Sequence, residues 1–263
     1  CKMTQFMRIA VLIFVILLAT ACAQPPIDEE ALSAEKLERA LQSAKVHTEL
    51  AGEYFNRGQW EVALEEVDEA LKAQPNYAPA YNVLGLVNMA LNEDSKAFDN
   101  FEQAVRLAPK NAEILNNYGW FLCQRLPDRM DQAINFFLMA AKDTLYQTPE
   151  MAYTNAGLCE LKRSRYDEAR LFFRKALSIQ SNYSSALIGL INIEFQRGNL
   201  SDARSKLTHF LQNNPSTPDG LLLALQIEQA AGDQRAADSY LFQLQKYFPD
   251  SKEAIAVREG RIK

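Results

Sequence analysis

The 263-residue sequence predicts an all-α protein, a right-handed superhelical solenoid built from six repeated helix pairs. The main observation is a period of 34 residues, over which small residues, large apolar residues and prolines return at fixed positions. In one copy these positions hold Gly85, Ala97, Phe101 and Pro109. The composition agrees, because a chain with 48% hydrophobic residues and only ten glycines and ten prolines suits packed helices.

Each recurring position has a role in a pair of antiparallel helices. Small residues at positions 8 and 20 of the repeat, here Gly85 and Ala97, allow the two helices of one unit to approach closely. Large apolar residues at positions 4 and 24, here Tyr81 and Phe101, fill the space between successive units. A proline at position 32, here Pro109, ends the second helix because proline lacks the backbone N–H donor. These spacings resemble the tetratricopeptide repeat, which implies a protein-binding solenoid.

The period also fixes where the units and their turns are expected. The six units are predicted at residues 44–77, 78–111, 112–149, 150–183, 184–217 and 218–251. Gly58, Gly198 and Gly232 are expected in the turn between the two helices of a unit, where a positive φ favours glycine. Residues 252–263 are charged and are expected to form at most a short capping helix over the apolar end of the last unit.

The third unit is longer than the others. It carries two extra residues around 126–128, in the turn between its helices, and two more around 144–147, at its exit. Insertions of this kind map to loops of a solenoid. We therefore expect the helices of this unit to keep their register and the added residues to lie on the surface.

The N-terminal 21 residues differ in character from the repeats. Lys2 and Arg8 precede the apolar run IAVLIFVILLATA, which is short for a membrane span, and Cys22 follows. This order of basic, apolar and small residues is typical of a bacterial secretory signal. The residues before Cys22 resemble a lipobox, so we expect a lipoprotein signal peptide at 1–21 and lipid attachment at Cys22. An ordinary signal peptide and a membrane anchor are the alternatives.

The segment after the lipidation site is predicted to connect the lipid to the solenoid. Ala23, rather than aspartate, follows the cysteine, which resembles the pattern of lipoproteins sorted to the outer membrane. Residues 22–43 are expected to form the anchor and its tether, with an acidic, proline-containing start. From Ala31 the tether has helical periodicity and could continue into the first unit.

Two cysteines lie within the repeats. Cys123 and Cys159 occupy positions 12 and 10 of the first helices of the third and fourth units, so they face each other across adjacent helices. After export they would meet an oxidising compartment, in which a nearby pair normally forms a disulfide. We expect the disulfide, and two buried free thiols are the alternative.

Charge and motifs argue against two classes of function. The net charge is −5 and the repeats contain no run of Lys or Arg, which disfavours nucleic-acid binding. The sequence holds only two histidines, His47 at a packing position and His209, and no GxSxG, P-loop or HExxH motif. We therefore predict a protein that is not an enzyme and that takes no cofactor, no metal and no small-molecule substrate.

The repeat register predicts a binding groove along the first helices. Positions 2, 5, 9, 12 and 13 of the first helix line the concave surface of tetratricopeptide folds. The predicted groove residues of the N-terminal half are Phe55, Asn82, Leu86, Met89, Asn116 and Trp120. An apolar groove with a few amides suits an amphipathic helix or an extended apolar segment of a partner protein. The alternative is that some of these side chains, Trp120 among them, pack within the solenoid.

Two segments point to a particular family. The run NNYGWFLCQR, from Asn116 to Arg125, is followed by NAGLCELKRSRYDEARLFFRKAL, from Asn155 to Leu177. Together they resemble the type IV pilus biogenesis lipoproteins, the pilotins of the pilus secretin. The resemblance implies an outer-membrane lipoprotein on the periplasmic face that binds the secretin subunit and helps it to localise and assemble. A tetratricopeptide lipoprotein that scaffolds peptidoglycan enzymes is the competing interpretation.

Overall fold

The computed structural model describes residues 29–261, which form thirteen α-helices and one short 3₁₀ turn, Pro127–Arg129. The helices are α1 Glu29–Asn56, α2 Trp60–Ala73, α3 Ala78–Ala90, α4 Asp94–Leu107, α5 Ala112–Arg125, α6 Met130–Lys142, α7 Pro149–Lys162, α8 Tyr166–Ile179, α9 Ser184–Gln196, α10 Leu200–Asn213, α11 Pro218–Ala231, α12 Gln234–Tyr247 and α13 Lys252–Arg258. No strand occurs in residues 29–261.

The helices stack as a solenoid, which confirms the predicted fold class. Within the described range of the chain, each odd-numbered helix from α1 to α11 packs against the even-numbered helix that follows it. Successive odd-numbered helices also contact one another, whereas each even-numbered helix contacts only odd-numbered helices. The odd-numbered helices therefore form an inner row and the even-numbered helices an outer row. The last short helix, α13, packs against α11 and α12 and covers the end of the stack.

Close helix packing depends on glycines that face aromatic rings. A Cβ atom added at Gly85 would lie 2.9 Å from the ring of Phe101, and one at Gly157 would lie 2.6 Å from Cε1 of Phe173. The Phe173 ring also meets Gly189, which belongs to the next unit. This fully buried ring therefore fills the space between α7, α8 and α9.

The turns inside five of the six units share a left-handed residue. Gly58, Gly198 and Gly232 have φ angles of 72°, 79° and 75°, as the sequence predicts. The equivalent positions of the second and fourth units hold Asn92, with a φ of 60°, and Ser164, with a φ of 58°. The backbone at these two positions adopts the same left-handed conformation without glycine. A side chain makes this conformation less favourable in energy.

The third unit uses a different turn. Its two extra residues fall at the three-residue 3₁₀ turn Pro127–Arg129, between α5 and α6. At its exit, Leu145 is 82% exposed, and its backbone N–H donates to Asp143 Oδ1 at 2.9 Å. Both insertions therefore lie outside the helices of the stack.

The N-terminal region is described from residue 29 onwards. Residues 1–28, and with them Cys22 and the predicted signal peptide, lie outside the described residues. The predicted tether is helical from Glu29 to residue 43 and continuous with the first helix of the first unit. None of the helices within residues 29–261 has the length and hydropathy that a membrane span requires.

Candidate binding surfaces

The residues predicted to line the groove lie on three neighbouring inner helices. Phe55 is on α1, Asn82, Leu86 and Met89 are on α3, and Asn116 and Trp120 are on α5. None of them is freely exposed, because the two asparagines are buried and the four apolar side chains are half-buried. These side chains are therefore less exposed than open groove positions would be.

The two asparagines connect inner helices to one another. Asn82 Oδ1 accepts a hydrogen bond from Asn117 Nδ2 at 3.3 Å, and Asn116 Oδ1 accepts one from Asn155 Nδ2 at 3.0 Å. Asn82 is 2% exposed and Asn116 is 3% exposed. Burial between units directs these two amide oxygens to the next inner helix, so both already accept a hydrogen bond within the solenoid.

The large apolar residues of the groove contribute to the core. Leu86, Met89 and Trp120 pack against a buried cluster that contains Phe121 and Cys123. The structure thus agrees with the alternative that Trp120 packs beside the cysteine pair. These three side chains are only half-buried, and their exposed parts form an apolar strip on α3 and α5.

The two repeat cysteines lie where the sequence places them. Cys123 on α5 and Cys159 on α7 are joined by a disulfide, with their Cα atoms 5.9 Å apart, and both are fully buried. Beside the disulfide, Lys162 Nζ donates to the backbone oxygens of Cys123 at 3.2 Å and Gln124 at 3.1 Å. A cation at this end of α5 complements the helix dipole.

A second cation has the same role at the end of α3, in the preceding unit. Arg125 donates to the backbone oxygen of Met89 at 3.1 Å and to Asn92 Oδ1 at 3.0 Å. Backbone oxygens at the end of each of these inner helices therefore accept a hydrogen bond from a basic side chain of the following unit. These contacts were not predicted from the sequence, although a basic residue near the end of an inner helix is a signal for them.

The outer side of the solenoid contains a cleft that sequence analysis did not predict. It has a volume of about 610 Å³ and lies between α8 and α10, over α9. Its lining consists of Arg170, Arg174, Leu187, Leu190, Ile191, Glu194, Ser205, Lys206, His209, Phe210 and Asn214. No residue of α7 or α11 lines it, so the cleft is separate from the predicted groove.

Glu194 is the acidic residue of this cleft, and its carboxylate interacts with three neighbouring side chains. Asn199 Nδ2 donates to Glu194 Oε2 at 2.9 Å, while Lys206 Nζ and an Arg170 nitrogen lie 3.4 Å and 3.5 Å from Oε1. The hydrogen bond from Asn199, followed by the charges of Lys206 and Arg170, lowers the pKa of Glu194. The carboxylate is therefore ionised at neutral pH.

Metal ligands do not cluster on either surface. Within residues 29–261, no three His, Cys, Asp or Glu side chains come together to hold a metal ion. His47, expected to be a packing residue, is half-buried, and its Nδ1 lies 2.7 Å from Glu66 Oε2, which links α1 to α2. The inner surface offers an apolar strip, and the cleft offers an apolar floor with charged residues around it, which are features of protein recognition.

Comparison with family models supports the repeat assignment. Two models described as Tetratricopeptide repeat match residues 48–112 and 152–183. Over 244 residues, the chain is 27% identical to the type IV pilus assembly protein PilF of Pseudomonas aeruginosa, and the match covers 93% of this chain and 95% of the relative. A structure of Pseudomonas aeruginosa PilF, also 27% identical, has a TM-score of 0.63 and covers 84% of this chain and 99% of its own.

A second solved structure is more similar in sequence. The crystal structure of PilW, described as a widely conserved type IV pilus biogenesis factor, is 33% identical to this chain. The match has a TM-score of 0.67 and covers 82% of this chain and 98% of PilW. The chain belongs to the PilW family. As a tetratricopeptide scaffold of the PilW family, it has the architecture of a protein that binds proteins rather than of an enzyme.

Proposed function

We propose that this protein supports type IV pilus biogenesis by binding the pilus secretin subunit and promoting its localisation and multimer assembly. The observation that carries the proposal is the 33% identity to the crystallised PilW chain, of which the match covers 98%. The near full-length relation to PilF, a type IV pilus assembly protein, supports the same role. The fold supports a scaffold, because a tetratricopeptide solenoid presents extended surfaces to other proteins.

The proposed location is the periplasmic face of the outer membrane, with a lipid on Cys22. Three features of the sequence support it: the basic and apolar start, the small residues before Cys22 and the Ala23 that follows. A lipid at this position would precede α1 and hold the solenoid next to the membrane in which a secretin ring is embedded. The partners are then the secretin subunit and the lipid bilayer.

The proposed secretin site is the apolar strip of the N-terminal half. Leu86 and Met89 are large apolar residues one helical turn apart on α3, and Trp120 lies on the neighbouring α5. Partly exposed Leu, Met and Trp side chains that adjoin one another favour an apolar partner segment, and Trp is enriched at binding hot spots. Phe55 extends the strip to α1.

The test is capture of the secretin by variants of the strip. Leu86→Glu combined with Met89→Glu places two charges on the strip, and Met139→Glu combined with Leu171→Glu is the matched control on exposed positions of outer helices. The strip variant should lose secretin in co-purification from cells, while the control should retain it. Circular dichroism and the melting temperature establish that both variants are folded.

Two results would decide against this proposal. If a folded strip variant captures as much secretin as the wild-type protein does, the secretin site lies elsewhere on the solenoid. Enrichment of murein synthases or hydrolases by the wild-type protein, without secretin, would support a scaffold for peptidoglycan enzymes instead. Because Leu86 and Met89 also contact the core, a Leu86→Ala, Met89→Ala pair repeats the test without burying charge.

A further inference from the structure

The cleft between α8 and α10 lies where the fifth unit lacks an aromatic packing residue. At position 23 of the repeat, the third, fourth and sixth units have Phe136, Phe172 and Tyr240, which pack against core clusters. The first and second units have the polar residues Glu66 and Asn100 there. The fifth unit has Lys206 at this position, and Lys206 lines the cleft instead of filling it. The smaller Ser205 beside it also leaves space.

The floor of the cleft is apolar. Leu187, Leu190, Ile191 and Phe210 line it from α9 and α10. Ile191 and Phe210 are buried, and Leu187 and Leu190 are half-buried. A cleft of about 610 Å³ lies within the range of roughly 300–1,000 Å³ that is typical of ligand pockets. It is therefore large enough to receive apolar side chains of a partner.

The rim of the cleft carries more positive than negative charge. Arg170, Arg174 and Lys206 line it, against the single carboxylate of Glu194. Glu194 interacts with Arg170 and Lys206, whereas the Arg174 side chain has no ion pair among the described residues. The Nε atom of Arg170 is buried and has no hydrogen-bond partner in the described structure. Because this nitrogen is shielded from solvent, it is closed to a partner, and the exposed Arg174 is the rim cation that an incoming carboxylate can pair with.

We infer that this cleft is a second protein-binding site, which takes a partner segment that combines apolar side chains with adjacent Asp or Glu residues. The apolar residues would cover Leu187, Leu190 and Ile191, and the carboxylates would pair with Arg174. Glu194 already shows how a carboxylate lies between Arg170 and Lys206. The extensive apolar lining favours a peptide over a hydrated phosphate group. This inference does not depend on the identity of the partner of the inner groove.

The test uses defined peptides and the full chain purified in detergent. The probe is a fluorescein-labelled peptide, GDELFEDG, and the neutral peptide GNQLFQNG has the same apolar centre. Fluorescence anisotropy should show binding of the acidic peptide, with the neutral peptide on the order of tenfold weaker because charge complementarity is lost. Arg174→Glu should weaken binding of the acidic peptide by a similar factor.

A matched variant separates a local effect from a change in net charge. Arg235→Glu makes the same charge change on α12, where Arg235 is exposed and outside the cleft. This control should bind the acidic peptide as the wild-type protein does, within about a factor of two. A Leu187→Ser variant should weaken both peptides alike, because it alters the apolar floor that they share.

The inference is overturned by any of three results. The first is an absence of binding of the acidic peptide at millimolar concentration, and the second is equal binding of the two peptides. The third is binding of phosphatidylglycerol vesicles that Arg174→Glu abolishes while peptide binding is unaffected, which would identify a lipid site. Secretin capture is measured separately, so loss of peptide binding with retained capture reports on the cleft alone.

Discussion

At the scale of single residues, the glycines that face Phe173 set the distance between helices. Gly157→Ala adds a Cβ atom 2.6 Å from Cε1 of Phe173, a fully buried ring that also meets Gly189. The ring is held between these two glycines, so the free energy of unfolding should fall by about 1–3 kcal/mol. Urea unfolding followed by circular dichroism measures the change.

A control for this prediction is present on α1. Gly52 is helical, and a Cβ atom added there meets no atom within 4 Å. Gly52→Ala should therefore leave the protein equally stable or raise the free energy of unfolding by up to about 1 kcal/mol, because alanine favours helix. Equal effects of the two substitutions would show that contact with Phe173 does not limit residue size at position 157.

Charge at the residue scale gives a pH dependence at the start of α12. Asp233 caps this helix by accepting from the Ala236 N–H at 3.1 Å, and it also accepts from Arg204 at 2.8 Å. The backbone hydrogen bond, followed by the one from Arg204, lowers the pKa of Asp233. A carboxyl group whose pKa is lower in the folded state stabilises the fold above its unfolded pKa, about 4, and loses this effect as pH falls through the folded pKa.

Asp233→Asn should therefore lower the melting temperature at neutral pH, and the difference from wild type should shrink as the pH falls below about 4. Asparagine retains the cap but not the charge. Asp250→Asn, at an exposed position with no ion pair in the described structure, should change the melting temperature little at any pH. A difference for Asp233→Asn that does not vary with pH would show that the charge is unimportant.

At the scale of helices, the disulfide joins α5 to α7 across the unit that carries the insertions. The cysteines are 36 residues apart. In the chain-entropy model a loop of this length stabilises the fold by roughly 3–4 kcal/mol. Non-reducing mass spectrometry of protein expressed in the periplasm should find the linked Cys123 and Cys159 peptides. Alkylation of both thiols in the native protein would contradict the prediction.

The same bridge also predicts a separation of stability from binding. Cys123→Ala combined with Cys159→Ala should lower the melting temperature more than it lowers secretin affinity, since both residues are fully buried and cannot contact a partner directly. Wild-type protein in reducing buffer is the matched comparison. A loss of affinity in a variant that remains folded would place the bridge in the binding surface.

At the scale of the whole molecule, the proposed lipid determines where the solenoid acts. Cys22→Ala should leave a soluble or inner-membrane species and misplace the secretin multimers, because nothing would then hold the protein at the outer membrane. Membrane fractionation followed by immunoblotting measures both effects. Cys123→Ala serves as a control that removes a cysteine without removing the lipidation site. Normal fractionation and unchanged multimers in Cys22→Ala would exclude the anchor.

The sequence by itself determined the repeat architecture, because its signals are local and recur with one period. Gly58 and Gly232 predicted the positive φ of the turns, and the position-20 alanines such as Ala97 predicted buried contacts between helices. The cysteine positions likewise placed Cys123 beside Cys159, since adjacent inner helices keep a constant register. Each of these features depends on residues whose contacts are fixed by the repeat, at a spacing in the sequence that is known in advance.

Only the tertiary structure decided how side chains divide between core and surface. Repeat register placed Asn116 and Trp120 on the inner face, but packing between units buried the first and half-buried the second. The cleft is also a tertiary feature, because it forms where Lys206 stands in place of an aromatic residue and three helices bring their side chains together. Register specifies the direction of a side chain, whereas its exposure depends on the size and charge of neighbours that are distant in the sequence.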